Sequence, residues 1–136
     1  MNIFLDTSAI VAITNTSDAY HAEAADVMNR IRRREIPLTR FVTTEYVLNE
    51  TLTFINCTLK RHELAVSTGE AMLNSNFVEI FRIEDEVFRR SWESFRRSED
   101  VSFADCASFA LMEYLGIDEV FTLDDHFRRM GFKLLP

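Results

Sequence analysis

The sequence predicts an α/β fold in three layers, with helices around a central, mostly parallel sheet of four to five strands. Short β-rich runs alternate along the chain with longer amphipathic runs, a pattern typical of parallel sheets. The chain has only 3 Gly and 2 Pro, too few for the many tight turns of an all-β fold. Its 136 residues, 47% of them hydrophobic, suit a single globular domain over residues 1–136.

The first strand is predicted at Ile3–Leu5, a continuous apolar run typical of a buried parallel strand. Asp6 follows at once, and Thr7 and Ser8 then offer N-caps for a helix over Ala9–Ile13. Asp6 is therefore expected where a central strand ends and a helix begins. Ligands of open α/β sheets bind at that edge.

The remaining elements are predicted from apolar periodicity and from residues that start or stop helices. The predicted helices are Ala22–Arg34, Glu45–Leu59, Arg61–Asn74, Glu84–Ser98 and Phe103–Leu115. The predicted strands are Leu38–Val42, Phe77–Ile83 and Glu119–Leu123, with Phe132–Leu135 as an edge strand. The predicted caps are Ser17 or Asp18, Thr43 or Thr44, and Ser102, with Gly116 just past the last long helix.

Charge and cysteine content narrow the class of protein. A net charge of −7 and a pI near 4.9 argue against a general polyanion binder, unless a basic patch or a bound metal offsets the acids. Cys57 and Cys106 lie within apolar helical patterns without a CxxC motif, which predicts reduced core thiols rather than a disulfide or zinc site. With no signal-like leader and no run of 18 apolar residues, we expect a cytoplasmic protein that does not span a membrane.

One predicted helix, Glu84–Ser98, carries two distinct faces. Phe88, Trp92 and Phe95 share an apolar face. The other face is a basic stripe of Arg89, Arg90, Arg96 and Arg97. That stripe is the best candidate for a nucleic-acid contact, and a solvated basic face is an equally good interpretation.

Several carboxylates stand out by their position. Asp6 and Asp124 follow strands, whereas Asp105 lies on a helix that is apolar around nearly its whole circumference. A buried carboxylate is costly unless it is paired, so Asp105 has either a metal-binding or catalytic role or a salt bridge to an arginine. Glu45 and Glu50 both lie at the edge of an apolar stripe, and spacing alone does not choose between them.

Acids gathered at one sheet edge repel one another and need a compensating charge. Mg²⁺ or Mn²⁺ would supply it, because these cations take oxygen ligands and bridge to phosphates. Such a centre suits hydrolysis of phosphodiester bonds. Nucleotide-binding glycine loops and a zincin histidine pair are both missing from the sequence. His126, close to Asp124, is interpreted as a surface residue or at most as a supporting one.

These residues resemble those of PIN-domain nucleases, in particular VapC-type toxins of toxin–antitoxin pairs. The resemblance spans essentially the whole chain, with its motifs in the family's order. The matching segments are D-T-S at Asp6, V-L-N-E-T-L at Glu50, S-F-A-D-C-A at Asp105, V-F-T-L-D-D-H-F at Asp124, and G-F-K-L-L-P at the end.

The resemblance implies a metal-dependent endoribonuclease, the toxin of a pair. It selects Glu50 over Glu45, and it implies a pocket for Mg²⁺ or Mn²⁺ formed by Asp6, Glu50, Asp105 and Asp124. Thr7 or Thr122 would support these acids by hydrogen bonds. Asp125 occupies a position that is often basic in the family. An RNA substrate, a small antitoxin whose tail lies across the pocket, and a homodimer are also implied.

Other functions fit parts of the sequence. A PIN-like module that binds RNA or protein without cleaving, or a stand-alone PIN nuclease of RNA processing, would share the fold. An aspartyl-phosphate receiver or phosphatase also places acids at strand ends. Ser8, however, stands where the phosphatase has its second acid, and Leu123 leads into acids rather than into the lysine of a receiver.

Overall fold

The computed structural model covers residues 1–136 and is built on one five-stranded sheet. Its strands are β1 (Asn2–Leu5), β2 (Arg40–Thr44), β3 (Val78–Phe81), β4 (Glu119–Phe121) and β5 (Lys133–Leu135). Their order across the sheet is β3-β2-β1-β4-β5, and every neighbouring pair is parallel. The α/β fold with a parallel sheet, including the C-terminal edge strand, is therefore as predicted.

The strand order places β1 at the centre, between β2 and β4. Phe4 of β1 pairs with Val42 on one side and with Val120 on the other. From β1 the chain first builds outward to β2 and β3, and later returns to add β4 and β5 on the opposite side. In open α/β sheets a crevice forms at this reversal of order, beyond the carboxyl ends of the strands.

Seven helices and one π-helical turn connect the strands. The helices are α1 (Thr7–Thr14), α2 (His21–Arg32), α3 (Glu45–Thr53), α4 (His62–Asn74), α5 (Asp85–Phe95), α6 (Phe103–Leu115) and α7 (His126–Arg129). The π-helical turn, Phe54–Thr58, follows α3 directly. Helix α7 was not predicted from the sequence, because four residues are too few for a periodic pattern. No helix is long and apolar enough to cross a membrane.

The helix predicted over Glu45–Leu59 changes character midway. The Leu59 amide donates to the carbonyl of Phe54, five residues earlier, at 3.0 Å, which is the π-helical spacing. Such a turn breaks the period of 3.6 residues from which burial was predicted. Cys57 lies in it and is exposed, so the prediction that Cys57 is a core residue is wrong. Cys106 is buried as predicted.

Strand β2 is shifted from its predicted range, and β3, β4 and β5 are shorter than predicted. Strand β2 continues through Thr43 and Thr44, because the Thr43 hydroxyl donates to the Leu5 carbonyl at 2.8 Å and the backbone still pairs with β3. Thr44 then caps α3 by accepting from the Val47 amide at 3.0 Å. Strand β3 ends at Phe81, the partner of Thr44, since beyond it β2 offers no further pairing.

The core joins the sheet to the segment that follows β4. Phe127 of α7 is fully buried and lies 6.2 Å from the Phe4 ring and 5.0 Å from the Phe109 ring, between centroids. This aromatic anchor holds α7 against β1 and α6. The loop that carries residues 122–126 is thereby tied to the sheet at one end and to the core at the other.

Helix α6 is buried mainly in its middle. Residues 106–112 of α6 are all buried, while Tyr114 and Leu115 are exposed, so the prediction of burial holds for part of the helix.

On α5, Val87 and Ser91 face the core. Phe88, Trp92 and Phe95 are 47%, 52% and 38% exposed.

Candidate active site

A cavity of about 420 Å³ opens at the carboxyl ends of β1 and β4, at the reversal of strand order. All four predicted site acids line it: Asp6, Glu50, Asp105 and Asp124. They come from four places in the sequence. Asp6 follows β1, Asp124 lies three residues beyond β4, and Glu50 and Asp105 project from α3 and α6.

Asp6 is the most buried of these acids, with 5% of its surface exposed. Its Oδ2 atom accepts a hydrogen bond from the Thr122 hydroxyl at 2.9 Å and another from the Ser8 hydroxyl at 3.3 Å. Burial raises the pKa of Asp6 to about 6, and the charges of Asp105 and Glu50 add to that rise. The Thr122 bond and the Thr7 backbone amide act in the opposite direction and do not offset the burial.

Asp105 lies in the first turn of α6, where the Ser102 side chain caps the helix by accepting from the Asp105 amide at 3.0 Å. Its side chain is 15% exposed. Burial raises the pKa of Asp105, and the charges of Asp124 and Glu50 raise it further. The alternative of a salt bridge to an arginine is wrong, because the side chain that reaches Asp105 is His126, at 3.6 Å.

Asp124 and His126 form a tight local motif after β4. The Asp124 carboxylate accepts from the His126 backbone amide at 3.0 Å, and the His126 ring Nδ1 lies 3.0 Å from the same carboxylate. The His126 side chain is 29% exposed and faces the acids rather than open solvent. The interpretation of His126 as a plain surface residue is therefore wrong. Its position two residues after Asp124 was the feature of the sequence that could have predicted a place beside the site acids.

The structure separates the two glutamates that spacing left equivalent. Glu50 lines the cavity, one and a half turns along α3 from its start. Glu45 lies outside it, and its carboxylate accepts a hydrogen bond from the Ile83 amide at 3.0 Å. Glu45 thus has a structural role, since it links the start of α3 to the segment after β3.

Hydroxyl groups support the acids, although partly not as predicted. Thr122 donates to Asp6 and accepts from the Asp124 amide at 3.0 Å, so it bridges two of the acids. The Thr7 hydroxyl instead accepts from Thr51 at 3.2 Å and supports Asp6 only through its backbone amide. Ser8, predicted merely as a helix cap, takes the supporting place: it also accepts from the Leu123 amide at 2.9 Å.

The start of α1 also differs from its predicted form. Asp6 itself occupies the N-cap position, and Thr7 and Ser8 are the first two helical residues. The Asp6 side chain makes no capping bond. Its carboxylate is consequently directed to the cavity and to Thr122, while the N-terminus of α1 points its backbone dipole at the same place.

Two further residues at the cavity were not predicted as site residues. Asp18 and Tyr20 line it from the turn between α1 and α2. The prediction of Ser17 or Asp18 as the helix cap is wrong, because Tyr20 occupies the N-cap of α2 and no side chain caps it. The Asp18 carboxylate instead accepts from the Tyr20 amide at 2.9 Å, before the helix begins. Asp125, in contrast, is exposed and lies 3.8 Å from Arg128, outside the cavity lining.

The four arginines of the basic stripe do not line the cavity. Arg89 and Arg90 both bond to Glu86, and Arg96 and Arg97 lie 3.7 and 3.6 Å from Glu93. The four arginines on α5 and just beyond its end therefore share two glutamates. An RNA contact by these arginines stays a prediction.

The donor set fits a divalent cation. Asp105, Asp124 and His126 place ligand atoms within 4.8 Å of one another, and Asp6 and Glu50 add carboxylates to the same cavity. No arginine or lysine lines the cavity to neutralise these acids. A bound cation would offset the burial and the repulsion between acids that together raise the pKa values of Asp6 and Asp105.

Comparisons with known proteins agree in family and in fold. A family model of the PIN domain matches residues 3–133. The 23S rRNA-specific endonuclease VapC20 of Mycobacterium tuberculosis is 32% identical over 132 residues, which cover 96% of this chain and 95% of that protein. The crystal structure of M. tuberculosis VapC20, described as a sarcin–ricin loop cleaving toxin, matches with a TM-score of 0.86 and 30% identity, over 98% of this chain and 99% of the other.

Proposed function

The chain belongs to the PIN-domain family, as its sequence predicts, and on that premise we propose that the acidic cavity is the active site of a divalent-metal-dependent RNA endonuclease. The observation that carries the proposal is the convergence of Asp6, Glu50, Asp105 and Asp124 on one cavity at the reversal of strand order. The similarity to VapC20 confirms the prediction of a VapC-type nuclease toxin. The metal, the RNA and the partners of this chain are proposals.

The cation we propose is Mg²⁺ or Mn²⁺, held by Asp6, Glu50, Asp105 and Asp124. When bound, it would offset the charge of the acids and of the scissile phosphate, and would activate water for hydrolysis of the phosphodiester bond. Thr122 and Ser8 hold the Asp6 carboxylate at 2.9 and 3.3 Å. The N-terminal dipoles of α1 and α6 lie beside Asp6 and Asp105 and lower the repulsion among the acids.

The substrate class we propose is structured ribosomal RNA, by similarity to VapC20, and ribosomes would place the activity in the cytoplasm. The first RNA to test is a synthetic stem–loop of the sarcin–ricin sequence. We expect the wild-type chain to cleave it at one position when Mg²⁺ or Mn²⁺ is present, and EDTA to stop the reaction. A scrambled stem–loop of equal length serves as the control.

An Asp6→Asn variant tests the site itself. The asparagine has nearly the same shape, so the fold should be retained and cleavage lost, and circular dichroism can verify the fold. Cleavage at the wild-type rate by a folded Asp6→Asn protein would contradict the proposed site. A wild-type protein that binds the stem–loop without cutting it would favour the non-cleaving module instead.

We also propose that the chain forms a homodimer through the aromatic face of α5, defined by Phe88, Trp92 and Phe95. These rings are exposed, yet they form a continuous cluster: Trp92 lies 6.2 Å from Phe95, and Phe88 and Phe95 lie 5.8 and 5.7 Å from Phe103. Contiguous exposed apolar patches mark interaction sites. Sedimentation equilibrium should give a dimer for the wild type and a monomer for Trp92→Glu.

Leu73 provides the matched control for this surface, because it is 64% exposed on α4 and lies outside the aromatic face. Leu73→Glu should remain dimeric. If Trp92→Glu is as dimeric as the wild type, the aromatic face is not the interface.

The antitoxin we propose is a small protein whose tail carries arginine or lysine, because the cavity presents five acids, Asp18 among them, and no basic side chain. A short reading frame beside this gene is where it should be sought. Its product should copurify with this chain, and the complex should not cleave the stem–loop. A stable complex that cleaves at the wild-type rate would contradict this proposal.

A further inference from the structure

We propose that His126 is a nitrogen ligand of the cation in this site, through Nδ1, and that it gives the site a preference for Mn²⁺ over Mg²⁺. The inference rests on the proposed function, since it concerns the cation proposed there. It goes beyond the four acids, because it assigns a ligand and a metal preference to a residue outside that set.

The distances fit three ligand atoms around one ion. His126 Nδ1 lies 3.0 Å from a carboxylate oxygen of Asp124 and 3.6 Å from Oδ2 of Asp105. Two ligand atoms about 2.1 Å from one ion are about 3.0 Å apart when they subtend a right angle, and about 3.6 Å apart at 120°. The spacing of His126 Nδ1 from each of the two aspartates thus matches that of two ligands of one ion.

The local backbone holds the imidazole in this position. The His126 amide donates to the Asp124 carboxylate at 3.0 Å, which closes a turn between the two residues. Phe127, the next residue, is fully buried against Phe4 and Phe109. The buried neighbour fixes the backbone of His126, which keeps the base of its side chain beside the acids.

The same contacts allow a second role, in which His126 only positions Asp124 by a hydrogen bond. The two roles differ in which substitutions of His126 they tolerate. Asparagine can keep a hydrogen-bond donor near the position of Nδ1, so it should preserve a positioning role. It cannot supply an imidazole nitrogen to a metal.

The metal preference follows from ligand chemistry. Mg²⁺ takes oxygen ligands almost exclusively and keeps several waters, whereas imidazole suits transition metals. A site with three or four carboxylates and one imidazole therefore retains Mg²⁺ binding and gains affinity for Mn²⁺. Losing His126 should remove that gain and leave an all-oxygen site.

The first experiment is pulsed electron paramagnetic resonance of the full chain loaded with Mn²⁺. We expect hyperfine coupling to an imidazole ¹⁴N in the wild type, and its loss in both His126→Ala and His126→Asn. His62→Ala is the matched control, because His62 lies on α4 and bonds to Asn56, away from the cavity. Wild-type Mn²⁺ spectra without ¹⁴N coupling would overturn the inference.

The second experiment measures the dissociation constants of Mn²⁺ and Mg²⁺ by calorimetry for the same proteins. His126→Ala and His126→Asn should each weaken Mn²⁺ binding by about tenfold or more and Mg²⁺ binding by much less. An unchanged Mn²⁺/Mg²⁺ ratio in both variants, or its full rescue by asparagine, would overturn the inference.

These outcomes separate this inference from the proposed function. If the wild type binds the ions and cleaves RNA but shows no ¹⁴N coupling, only the role of His126 is wrong. If the wild type binds neither ion, and Asp105→Asn changes nothing, the metal centre itself is wrong and His126 has no ion to bind.

Discussion

The two ends of the sheet carry cavities of opposite character. At the amino ends of β2 and β3 lies a groove of about 840 Å³, lined largely by apolar side chains such as Ile31, Ile36 and Phe77. At the carboxyl ends lies the acidic cavity, which has about half that volume and five acids. The larger cavity is lined by no acid and no histidine, so size alone does not locate the chemistry of this molecule.

Chain direction explains the difference between the two ends. At the carboxyl end, β1 runs directly into α1, and Ser102 and Asp105 mark the start of α6, so the N-terminal dipoles of these two helices lie at the cavity. Those dipoles tolerate negative charge. At the amino end the strands are entered from loops that follow helices, where arginines such as Arg32 and Arg34 lie at the groove. A cation site is therefore favoured at one end only.

The largest expected difference in cleavage rate is between one substitution at the carboxyl ends of the strands and one at the amino ends. Asp6→Asn should lower RNA cleavage on the order of 10³-fold, because it removes a buried carboxylate from the proposed cation. Phe77→Ser, at the exposed rim of the opposite groove, should leave the rate within about twofold, as surface substitutions usually do. Single-turnover kinetics on the sarcin–ricin stem–loop measures both. A large loss in Phe77→Ser would break the distinction between the two ends.

The pH dependence of stability should differ between wild type and Asp6→Asn in the absence of metal. The pKa of Asp6 is raised to about 6 by burial, so the folded chain holds that proton more tightly than the unfolded chain does. The stability of the wild type relative to the variant should therefore fall as pH rises from about 4 to above 6, by about 3 kcal/mol in all. Urea unfolding at a series of pH values with EDTA measures it. A relative stability that rises with pH would contradict the assignment.

Binding of a cation should raise the free energy of unfolding, and the increase should depend on the acidic cavity and not on the opposite groove. Mn²⁺ at about 100 times its dissociation constant should raise the unfolding free energy of the wild type by about 2.7 kcal/mol. Asp105→Asn should respond much less, because Asp105 contacts His126 and lies beside Asp124 and Glu50. Phe77→Ser should respond like the wild type. Equal stabilisation of all three proteins, measured by urea titration, would place the ion elsewhere.

The smallest effect should come from a supporting hydroxyl. Thr122→Val keeps the shape of the side chain but removes the donor to Asp6 and the acceptor for the Asp124 amide. We expect about a tenfold loss of cleavage, since a hydrogen bond to a charged group contributes about 1.5–3 kcal/mol. Thr7→Val, whose hydroxyl contacts Thr51 instead of an acid, should lose less. The reverse order of the two variants would contradict the hydrogen bonding described for this site.

Structural features that depend on a local pattern could be predicted from the sequence alone. The apolar run before Asp6 predicted the central strand, and Ser102 and Gly116 marked the ends of α6 as the structure has them. The four site acids were named before any geometry was known, three from their positions and Glu50 through a family resemblance. Asp6 and Asp124 lie at element boundaries, where turn and cap chemistry is read directly from neighbouring residues.

Contacts between residues far apart in the chain could not be predicted from the sequence. It could not separate Glu45 from Glu50, because the choice depends on the Ile83 amide, 38 residues away. The family resemblance named Thr7 or Thr122 as the supporting residue and left out Ser8, whose partner Thr122 is 114 residues away. It passed over His126, whose value depends on Asp105 on another helix.

The sequence by itself thus determined the order of the elements, the acids at their ends and the family of the chain. Only the tertiary structure decided which side chains meet across the carboxyl ends of β1 and β4. The physical reason is that caps and periodicity act within a few residues, whereas the acidic cavity exists only because parallel pairing brings Asp6 and Thr122, 116 residues apart, to within a hydrogen bond.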